Sequence, residues 1–168
     1  WVGHPLVDAA RPSISREEAA PRLGLNTWRR TVGLLPGSRT DEVRRHLPLM
    51  LRAAQRIGWH MPGVQFVLLK ASGIERSMLQ PLIDRSGIDV LIAEGAAADA
   101  LQVMEVAAVA SGTATLEAAL AGVPMVVVYR LSPLTYHVGR RLVKVDTYGM
   151  VNLIAGERIV PELIQNAF

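Results

Sequence analysis

The chain has 168 residues, of which 50% are apolar, enough for one globular core and too few to favour two domains. It contains no cysteine, which excludes disulfides and thiolate metal ligands. A net charge of +3 with interspersed acids and bases argues against general nucleic-acid binding, and no apolar run approaches the roughly 20 residues of a membrane-spanning helix.

The first residues predict a linker followed by a helix. Residues 1–12 contain turn formers and too little periodicity for a regular element. Ser15 and Glu18 have the spacing of a capping box, which predicts a short helix ending near Leu23. Because the chain begins without methionine and stops inside a helix-like pattern, we expect it to be a fragment of a longer protein.

Short apolar runs then alternate with helical patterns. The runs that predict strands are residues 32–35, 64–69, 90–93, 106–110 and 125–128. The patterns that predict helices are residues 41–57, 75–84 and 98–104 and the stretch after Thr113. Strands that are apolar throughout indicate a sheet covered on both faces. With helices as crossovers, the chain is predicted to be an α/β protein with a Rossmann-like, doubly wound parallel sheet.

The last part of the chain has a different pattern. Residues 133–145 predict a helix, residues 146–157 a loop, and Pro161 the first turn of a closing helix. One face of the 133–145 helix carries four basic side chains beside an apolar face: His137, Arg140, Arg141 and Lys144. This face predicts contact with an anionic membrane surface, and an ordinary surface helix with solvated cations is the alternative.

Two turns follow predicted strands and precede helices, the position where ligands bind in parallel α/β sheets. In the first turn, Gly37 allows close backbone approach, Ser38 can donate through its N–H and hydroxyl, and Arg39 can bind phosphate oxygens in a fork. These properties fit a diphosphate. A helix N-terminus with a solvated arginine is the alternative.

The second turn consists of Ser111, Gly112 and Thr113, whose backbone N–H groups at a helix start can face an anion. Glu117 follows within the first turns of that helix, where the helix dipole alone would favour a carboxylate. A carboxylate repels phosphate but accepts hydrogen bonds from ribose hydroxyls. The two turns therefore predict a nucleotide site. Neither contains G-x-G-x-x-G, and no Gly-Lys-Ser/Thr motif is present, which argues against NAD binding and ATP hydrolysis.

In motif order and separation, the chain resembles the lipid-A-disaccharide synthase family. The matching segments are Val2–Leu6, Leu35–Arg39, Ser111–Glu117, Pro124–Arg130, Asn152–Gly156 and Val160–Leu163. The resemblance implies the C-terminal half of a GT-B glycosyltransferase. Residues 1–12 would then be an interdomain linker, and residues 13–168 a UDP-sugar-binding Rossmann-like domain that lacks the N-terminal acceptor domain and the extreme C-terminus.

The resemblance also implies an activity. Enzymes of this family transfer 2,3-diacylglucosamine from its UDP conjugate to 2,3-diacylglucosamine 1-phosphate, which forms lipid A disaccharide 1-phosphate and UDP. By this resemblance the enzyme needs no metal or other cofactor, binds no nucleic acid, and works in the cytoplasm as a peripheral protein on the anionic inner face of the bacterial inner membrane. The general base belongs to the N-terminal domain, so we expect this fragment to be inactive alone.

The same resemblance assigns donor-binding residues. Gly37, Ser38 and Arg39 would hold the diphosphate, Ser111, Gly112 and Thr113 would add N–H groups, Glu117 would hold the ribose, and Asn152 would face the donor from a loop. Fixed donors and an arginine, rather than magnesium, would stabilise the leaving UDP. Two positions depart from the family pattern. Met150 and Val151 replace Leu-Pro before the asparagine, and Glu105 follows Met104 where Ala-Asp is usual.

Two alternatives to this function remain at the level of the sequence. One is another GT-B transferase that uses UDP-GlcNAc, although the Gly-Gly-Ser turn and the His-Glu pair expected there are not apparent. The other is a non-catalytic nucleotide-binding module. His4 could approach a cleft between domains, but a histidine before proline at a domain junction is typical of a structural turn.

Overall fold

A parallel β-sheet is the centre of the protein in the computed structural model, which describes residues 6–95, 97–131 and 147–167. Its strands are β1 (Thr31–Leu35), β2 (Gln65–Lys70), β3 (Val90–Glu94), β4 (Val106–Ala110), β5 (Met125–Tyr129) and β6 (Glu162–Ile164). The helices are α1 (Leu6–Ala9), α2 (Arg16–Arg22), α3 (Thr40–His60), α4 (Arg76–Ser86), α5 (Ala97–Leu101), α6 (Ala114–Leu120) and α7 (Met150–Ala155). A 3₁₀ turn spans Gln165–Ala167.

The strands lie in the order β3-β2-β1-β4-β5-β6, and every adjacent pair is parallel. This order runs outward in both directions from the β1–β4 pair, so the predicted Rossmann-like, doubly wound sheet is confirmed. Val32 pairs with Val106 and Leu35 with Val109, so β1 and β4 end at the same edge of the sheet. The loops after these two strands therefore flank the crevice where the strand order reverses.

Apolar side chains cover both faces of the sheet, as continuous apolar strands predict. On one face, α3 and α4 contribute Leu47 and Leu79, which are fully buried against β2. On the other face, Leu101 of α5 and Ala118 of α6 are fully buried in a second cluster. The two clusters fix the helices on opposite sides and leave the carboxyl edge of the strands open.

One close contact inside the sheet requires glycine. Gly33 lies in the middle of β1, where a Cβ would be 2.2 Å from the sulfur of Met104 and 3.2 Å from the Cβ of Ala107. Met104 is itself buried and packs in the cluster that covers this face. Its thioether thus occupies the space that a side chain at position 33 would need.

The N-terminal capping box is confirmed. The Ser15 hydroxyl accepts a hydrogen bond from the Glu18 N–H at 3.3 Å, and the Glu18 carboxylate accepts one from the Ser15 N–H at 3.4 Å. The segment before it is not wholly irregular, because Leu6–Ala9 forms one helical turn within the predicted linker.

Two predictions about the end of the chain are wrong. Residues 146–157 contain helix α7 rather than only a loop, and the segment after Pro161 forms the edge strand β6 rather than a closing helix. Pro161 lacks an N–H but still accepts a hydrogen bond from the Val127 N–H at 2.9 Å, which suits the start of an edge strand. The helix predicted for residues 133–145 lies outside the described residues. None of the described helices combines the length and apolar character that crossing a bilayer requires.

Candidate functional site

A cleft of about 430 Å³ opens at the carboxyl ends of β1, β2 and β4, beside the reversal in strand order. Both predicted turns line it. It brings together all the predicted donor-binding residues except Asn152, namely Gly37, Ser38, Arg39, Ser111, Gly112, Thr113 and Glu117. Ligands of open α/β sheets bind at this position, so the topology and the two turns indicate the same site.

The first turn joins the end of β1 to the long helix α3. Gly37 has φ +115°, a backbone conformation that side chains with a Cβ rarely adopt. The Ser38 N–H donates to Oε2 of Glu42 at 3.3 Å, and Nη1 of Arg39 donates to Oε1 of the same carboxylate at 3.1 Å. The Arg39 side chain is 81% exposed, so its guanidinium lies at the solvent side of the cleft.

In the second turn, both hydrogen-bond donors of Ser111 are engaged within the protein. The Ser111 N–H donates to the Val128 carbonyl at 3.0 Å because Ser111 extends the pairing of β4 with β5. Its hydroxyl donates to the Tyr148 carbonyl at 2.6 Å. The expectation that the Ser111 N–H is available to a ligand is therefore wrong.

Three backbone N–H groups at the start of α6 remain available instead. The hydrogen bonds of this helix begin at Thr115, whose N–H donates to the Gly112 carbonyl at 3.2 Å. Within the described part of the chain, the N–H groups of Gly112, Thr113 and Ala114 have no hydrogen-bond acceptor. Ala114 also lines the cleft, although the sequence did not single it out.

Glu117 supplies a carboxylate to the same cleft. Its side chain is half-buried, and across the described residues it forms neither a hydrogen bond nor an ion pair. Burial raises the pKa of the Glu117 carboxyl above its ordinary value, because the charged form loses hydration. A carboxyl that lines a cleft, has a perturbed pKa and pairs with none of the described residues is a candidate ligand-binding group.

Sequence reasoning missed other lining residues, among them Glu42, Lys70, Ser72, Gly95 and Ala97. Lys70 ends β2, and its side chain is only 12% exposed. Its ammonium donates to the Ile74 carbonyl at 2.9 Å and lies 3.8 Å from Oε2 of Glu94. A lysine at the end of an otherwise apolar run was the available sequence signal for this position.

Asn152 is fully buried in α7 and is not part of the cleft lining. Its Nδ2 donates to the Val160 carbonyl at 2.9 Å and to Oε1 of Glu162 at 2.8 Å, and its Oδ1 accepts from the Val160 N–H at 3.0 Å. The side-chain amide thus binds the segment that leads into β6. The structure does not bring Asn152 together with the two turns.

Glu162 connects Asn152 indirectly to the cleft. The Glu162 carboxylate accepts hydrogen bonds from the N–H groups of Tyr148 at 2.8 Å and Gly149 at 2.9 Å, the residues that precede α7. The carbonyl of the same Tyr148 accepts the Ser111 hydroxyl. A chain of hydrogen bonds therefore runs from Asn152 through Glu162 and Tyr148 to the second turn.

The two departures from the family pattern have structural roles away from the cleft. Val151 is buried in the core, in the first turn of α7. The Glu105 carboxylate accepts a hydrogen bond from the Thr31 N–H and is 2.5 Å from Nη2 of Arg16, at the amino end of β4. Glu105 thus ties β1 to α2 at the edge opposite the cleft.

A buried histidine links the first turn to β5. His46 of α3 is fully buried, with Nδ1 3.0 Å from the Pro36 carbonyl oxygen and Nε2 3.0 Å from the Arg130 nitrogen. Burial lowers the pKa of His46 below its ordinary value, because the charged ring would lose hydration. The turn that carries Arg39 is therefore attached to the sheet through an imidazole.

Several predicted residues lie outside the described residues: His4, His137, Arg140, Arg141 and Lys144. Among the residues that are described, no group of three or more His, Asp or Glu side chains could hold a metal ion. The expectation of metal-independent action stays a prediction.

Comparison with known proteins gives one family. A family model described as lipid-A-disaccharide synthetase matches residues 1–168. A lipid-A-disaccharide synthase of Geobacter sulfurreducens is 48% identical over 166 residues, which cover 99% of this chain and 43% of that protein. One from Geobacter metallireducens is 49% identical with the same coverage. The chain thus spans less than half the length of these curated relatives.

Solved structures that share the fold include glycosyltransferases. WaaG, a glycosyltransferase involved in lipopolysaccharide biosynthesis, superposes with a TM-score of 0.63 at 14% identity, covering 97% of this chain and 41% of that one. Anabaena HepE, solved with UDP and glucose, gives a TM-score of 0.56 at 16% identity, with 95% and 41% coverage. At these identities the likeness concerns the fold, and it confirms the Rossmann-like architecture of a GT-B half.

Proposed function

Because the chain belongs to the lipid-A-disaccharide synthetase family, we propose that it is the UDP-sugar-binding half of a hexosyltransferase. The complete enzyme transfers 2,3-diacylglucosamine from UDP-2,3-diacylglucosamine to 2,3-diacylglucosamine 1-phosphate. The products are lipid A disaccharide 1-phosphate and UDP. The family match and the relatives at 48% and 49% identity support this assignment.

The observation that carries the proposal is the meeting of two turns and one carboxylate in a single cleft. The guanidinium of Arg39 and the free N–H groups of Gly112 and Thr113 offer positive charge and donors to a diphosphate. Glu117 offers only acceptors, which suits ribose hydroxyls and disfavours phosphate. A nucleoside diphosphate has this combination of groups.

The donors of the two turns would stabilise the leaving group, UDP, rather than activate the acceptor hydroxyl. As the glycosidic bond to the diphosphate breaks, negative charge develops on UDP, and N–H groups and a guanidinium already in place stabilise it without reorganising. The transfer also needs a base for the acceptor hydroxyl. We assign that base to the part of the enzyme outside this chain, and we expect this chain alone to bind donor without turnover.

Isothermal titration with UDP tests the site. We expect wild-type chain to bind UDP more tightly than uridine, and Arg39→Ala and Glu117→Ala each to weaken UDP binding about tenfold or more, as loss of a charged hydrogen-bond partner does. Arg56→Ala is the matched control, because Arg56 is an exposed arginine of α3 that does not line the cleft. Unaltered UDP affinity in both cleft variants would refute the site assignment.

A transfer assay on the complete gene product tests the reaction. With both diacylated substrates, we expect UDP release in step with disaccharide formation. Transfer from UDP-GlcNAc to another acceptor would favour the alternative transferase. UDP binding with no transfer to any acceptor would favour a non-catalytic nucleotide-binding module.

Acylated substrates must be collected from a membrane, so we also propose peripheral association with an anionic inner-membrane surface from the cytoplasmic side. The basic residues His137, Arg140, Arg141 and Lys144 are the candidates for this contact. Co-sedimentation with vesicles containing anionic lipid tests it. Equal binding by wild type and by the double variant Arg140→Glu, Arg141→Glu would exclude this contact.

A further inference from the structure

The carboxylate of Glu42 occupies the donors of the first turn. Oε2 accepts the Ser38 N–H at 3.3 Å, and Oε1 accepts Nη1 of Arg39 at 3.1 Å. The Glu42 side chain is 17% exposed, whereas that of Arg39 is 81% exposed. The carboxylate therefore lies beneath the guanidinium, against the backbone of the turn.

Gly37 makes this position of the carboxylate possible. A Cβ at residue 37 would be 2.7 Å from Oε2 and 3.0 Å from the Cβ of Glu42. The glycine thus serves two purposes, because the backbone there also has φ +115°. The Glu42 carboxylate thus fills the space that a side chain at residue 37 would occupy.

A carboxylate and a phosphate each offer two oxygen acceptors, so either can accept hydrogen bonds from an N–H group and a guanidinium. A diphosphate at this turn would use the Ser38 N–H and Arg39, so it competes with Glu42 for the same hydrogen bonds. If Glu42 stayed in place, its charge would also repel the ligand. The Glu42 side chain begins in the first turn of α3, and its displacement requires only a change of side-chain rotamer.

Building on the proposed nucleotide site, we propose that Glu42 is a specificity-determining residue that occupies the anion position of the first turn and is displaced by the phosphates of the ligand. Displacement costs the protein two hydrogen bonds, which only a ligand with sufficient phosphate charge replaces. Glu42 thus weakens the binding of every ligand that places phosphate at this turn, and it weakens that of a monophosphate more than that of a diphosphate. A ligand without phosphate does not compete with it.

Titration of a charge variant with uridine, UMP and UDP tests this role. Glu42→Gln keeps the shape and one acceptor but removes the charge. We expect it to bind UDP about three- to tenfold more tightly than wild type, the range for loss of one partly exposed like-charge contact. UMP should gain at least as much affinity as UDP, because it has less charge with which to displace Glu42. Uridine, which has no phosphate, should bind both proteins equally.

Asp41→Asn is the matched control. Asp41, like Glu42, lies at the start of helix α3. Its carboxylate is 3.9 Å from Nη2 of Arg45, and Asp41 does not line the cleft. We expect its UDP affinity to stay within about twofold of wild type, because exposed charges contribute little. Thermal unfolding of each variant confirms that it is folded.

The outcomes separate the two proposals. The displacement role is overturned if wild type binds UDP and Glu42→Gln binds it equally or more weakly. Weaker binding by the variant would instead mean that Glu42 supports Arg39. Equal tightening for uridine and UDP also overturns it, since the effect would not depend on phosphate. Absence of UDP binding by wild type and variant alike overturns the proposed function itself, and this role with it.

Discussion

The backbone N–H of Arg130 donates to Nε2 of His46 across 3.0 Å. Because a backbone N–H can only donate, Nε2 carries no proton, and the ring proton is on Nδ1, which donates to the Pro36 carbonyl. The geometry therefore requires a neutral imidazole in one tautomer. A second proton on Nε2 would meet the Arg130 N–H head on and break the link between the first turn and the end of β5.

This link predicts a loss of stability in acid. Burial lowers the pKa of His46 in the folded chain below its ordinary value of 6.5. Below about pH 6.5 the unfolded chain therefore binds a proton more readily than the folded chain, and the free energy of unfolding decreases as the pH decreases. The slope from one such group is at most about 1.4 kcal/mol per pH unit. Urea unfolding at pH 7.5 and 5.5 should show a smaller drop for His46→Gln than for wild type. The exposed His60→Gln serves as control, and equal drops in all three proteins would contradict the prediction.

Glu117 is predicted to favour binding at the expense of stability. Its pKa is raised by burial, so ionisation costs the folded state stability as pH rises above the ordinary glutamate value toward neutrality. At pH 7 we expect Glu117→Gln to unfold at a temperature equal to or higher than wild type while its UDP affinity falls about tenfold. Calorimetry and titration on the same preparations measure both. A variant that is less stable yet binds UDP normally would mean that Glu117 is a structural residue.

Asn152 is predicted to act on the cleft only through the loop before α7. Asn152→Ala leaves the Val160 N–H and carbonyl without their side-chain partner, at a cost of about 2–4 kcal/mol in unfolding free energy. Hydrogen exchange should accelerate at the Tyr148 and Gly149 amides, which depend on Glu162 for an acceptor. Asn26→Ala, which removes a side-chain contact at the opposite edge of the sheet, is the control. Acceleration at those two amides no greater than in the control would show that the network is not coupled.

The close packing at Gly33 predicts a sharp contrast between two alanine substitutions. Gly33→Ala places a methyl group 2.2 Å from the Met104 sulfur, and the repacking should lower the free energy of unfolding by about 1–3 kcal/mol. Gly58 lies inside helix α3, and a Cβ there would be 3.8 Å from Cε2 of Phe66, so Gly58→Ala should stabilise the protein by about 0.5–1 kcal/mol. Urea unfolding measures both changes. Similar stability of the two variants would show that Met104 moves aside freely.

The central sheet could be predicted because each strand carries its own signal. Continuous apolar runs such as residues 32–35 indicate burial on both faces whatever their neighbours are, and the periodicity of α3 is a property of that segment alone. The strand β6 could not, because three residues after a proline have no periodicity and depend on pairing with β5. Helix α7 begins at Met150, after the capping residue Gly149. The Gly149 N–H donates to Glu162, a contact with a distant residue that local periodicity does not reveal.

The candidate site shows the same division. Gly37, Arg39 and Glu117 could be placed in one cleft because turns after adjacent parallel strands must share an edge. The sequence could not show that Ser111 is engaged by Tyr148 or that Glu42 folds back over Ser38, since both contacts depend on side-chain torsions. Motif position does not reveal which way a helical side chain points, so the sequence could not show that Asn152 is buried away from the two turns.

The engagement of both Ser111 protons within the protein has a consequence for how the second turn can be studied. Its free donors are the peptide groups of Gly112, Thr113 and Ala114, and a peptide group is the same whatever side chain it carries. Conventional side-chain scanning across these positions would therefore report little even if they hold the ligand. Replacing single amides by esters, which deletes the N–H and keeps the side chain, is the perturbation that this turn calls for.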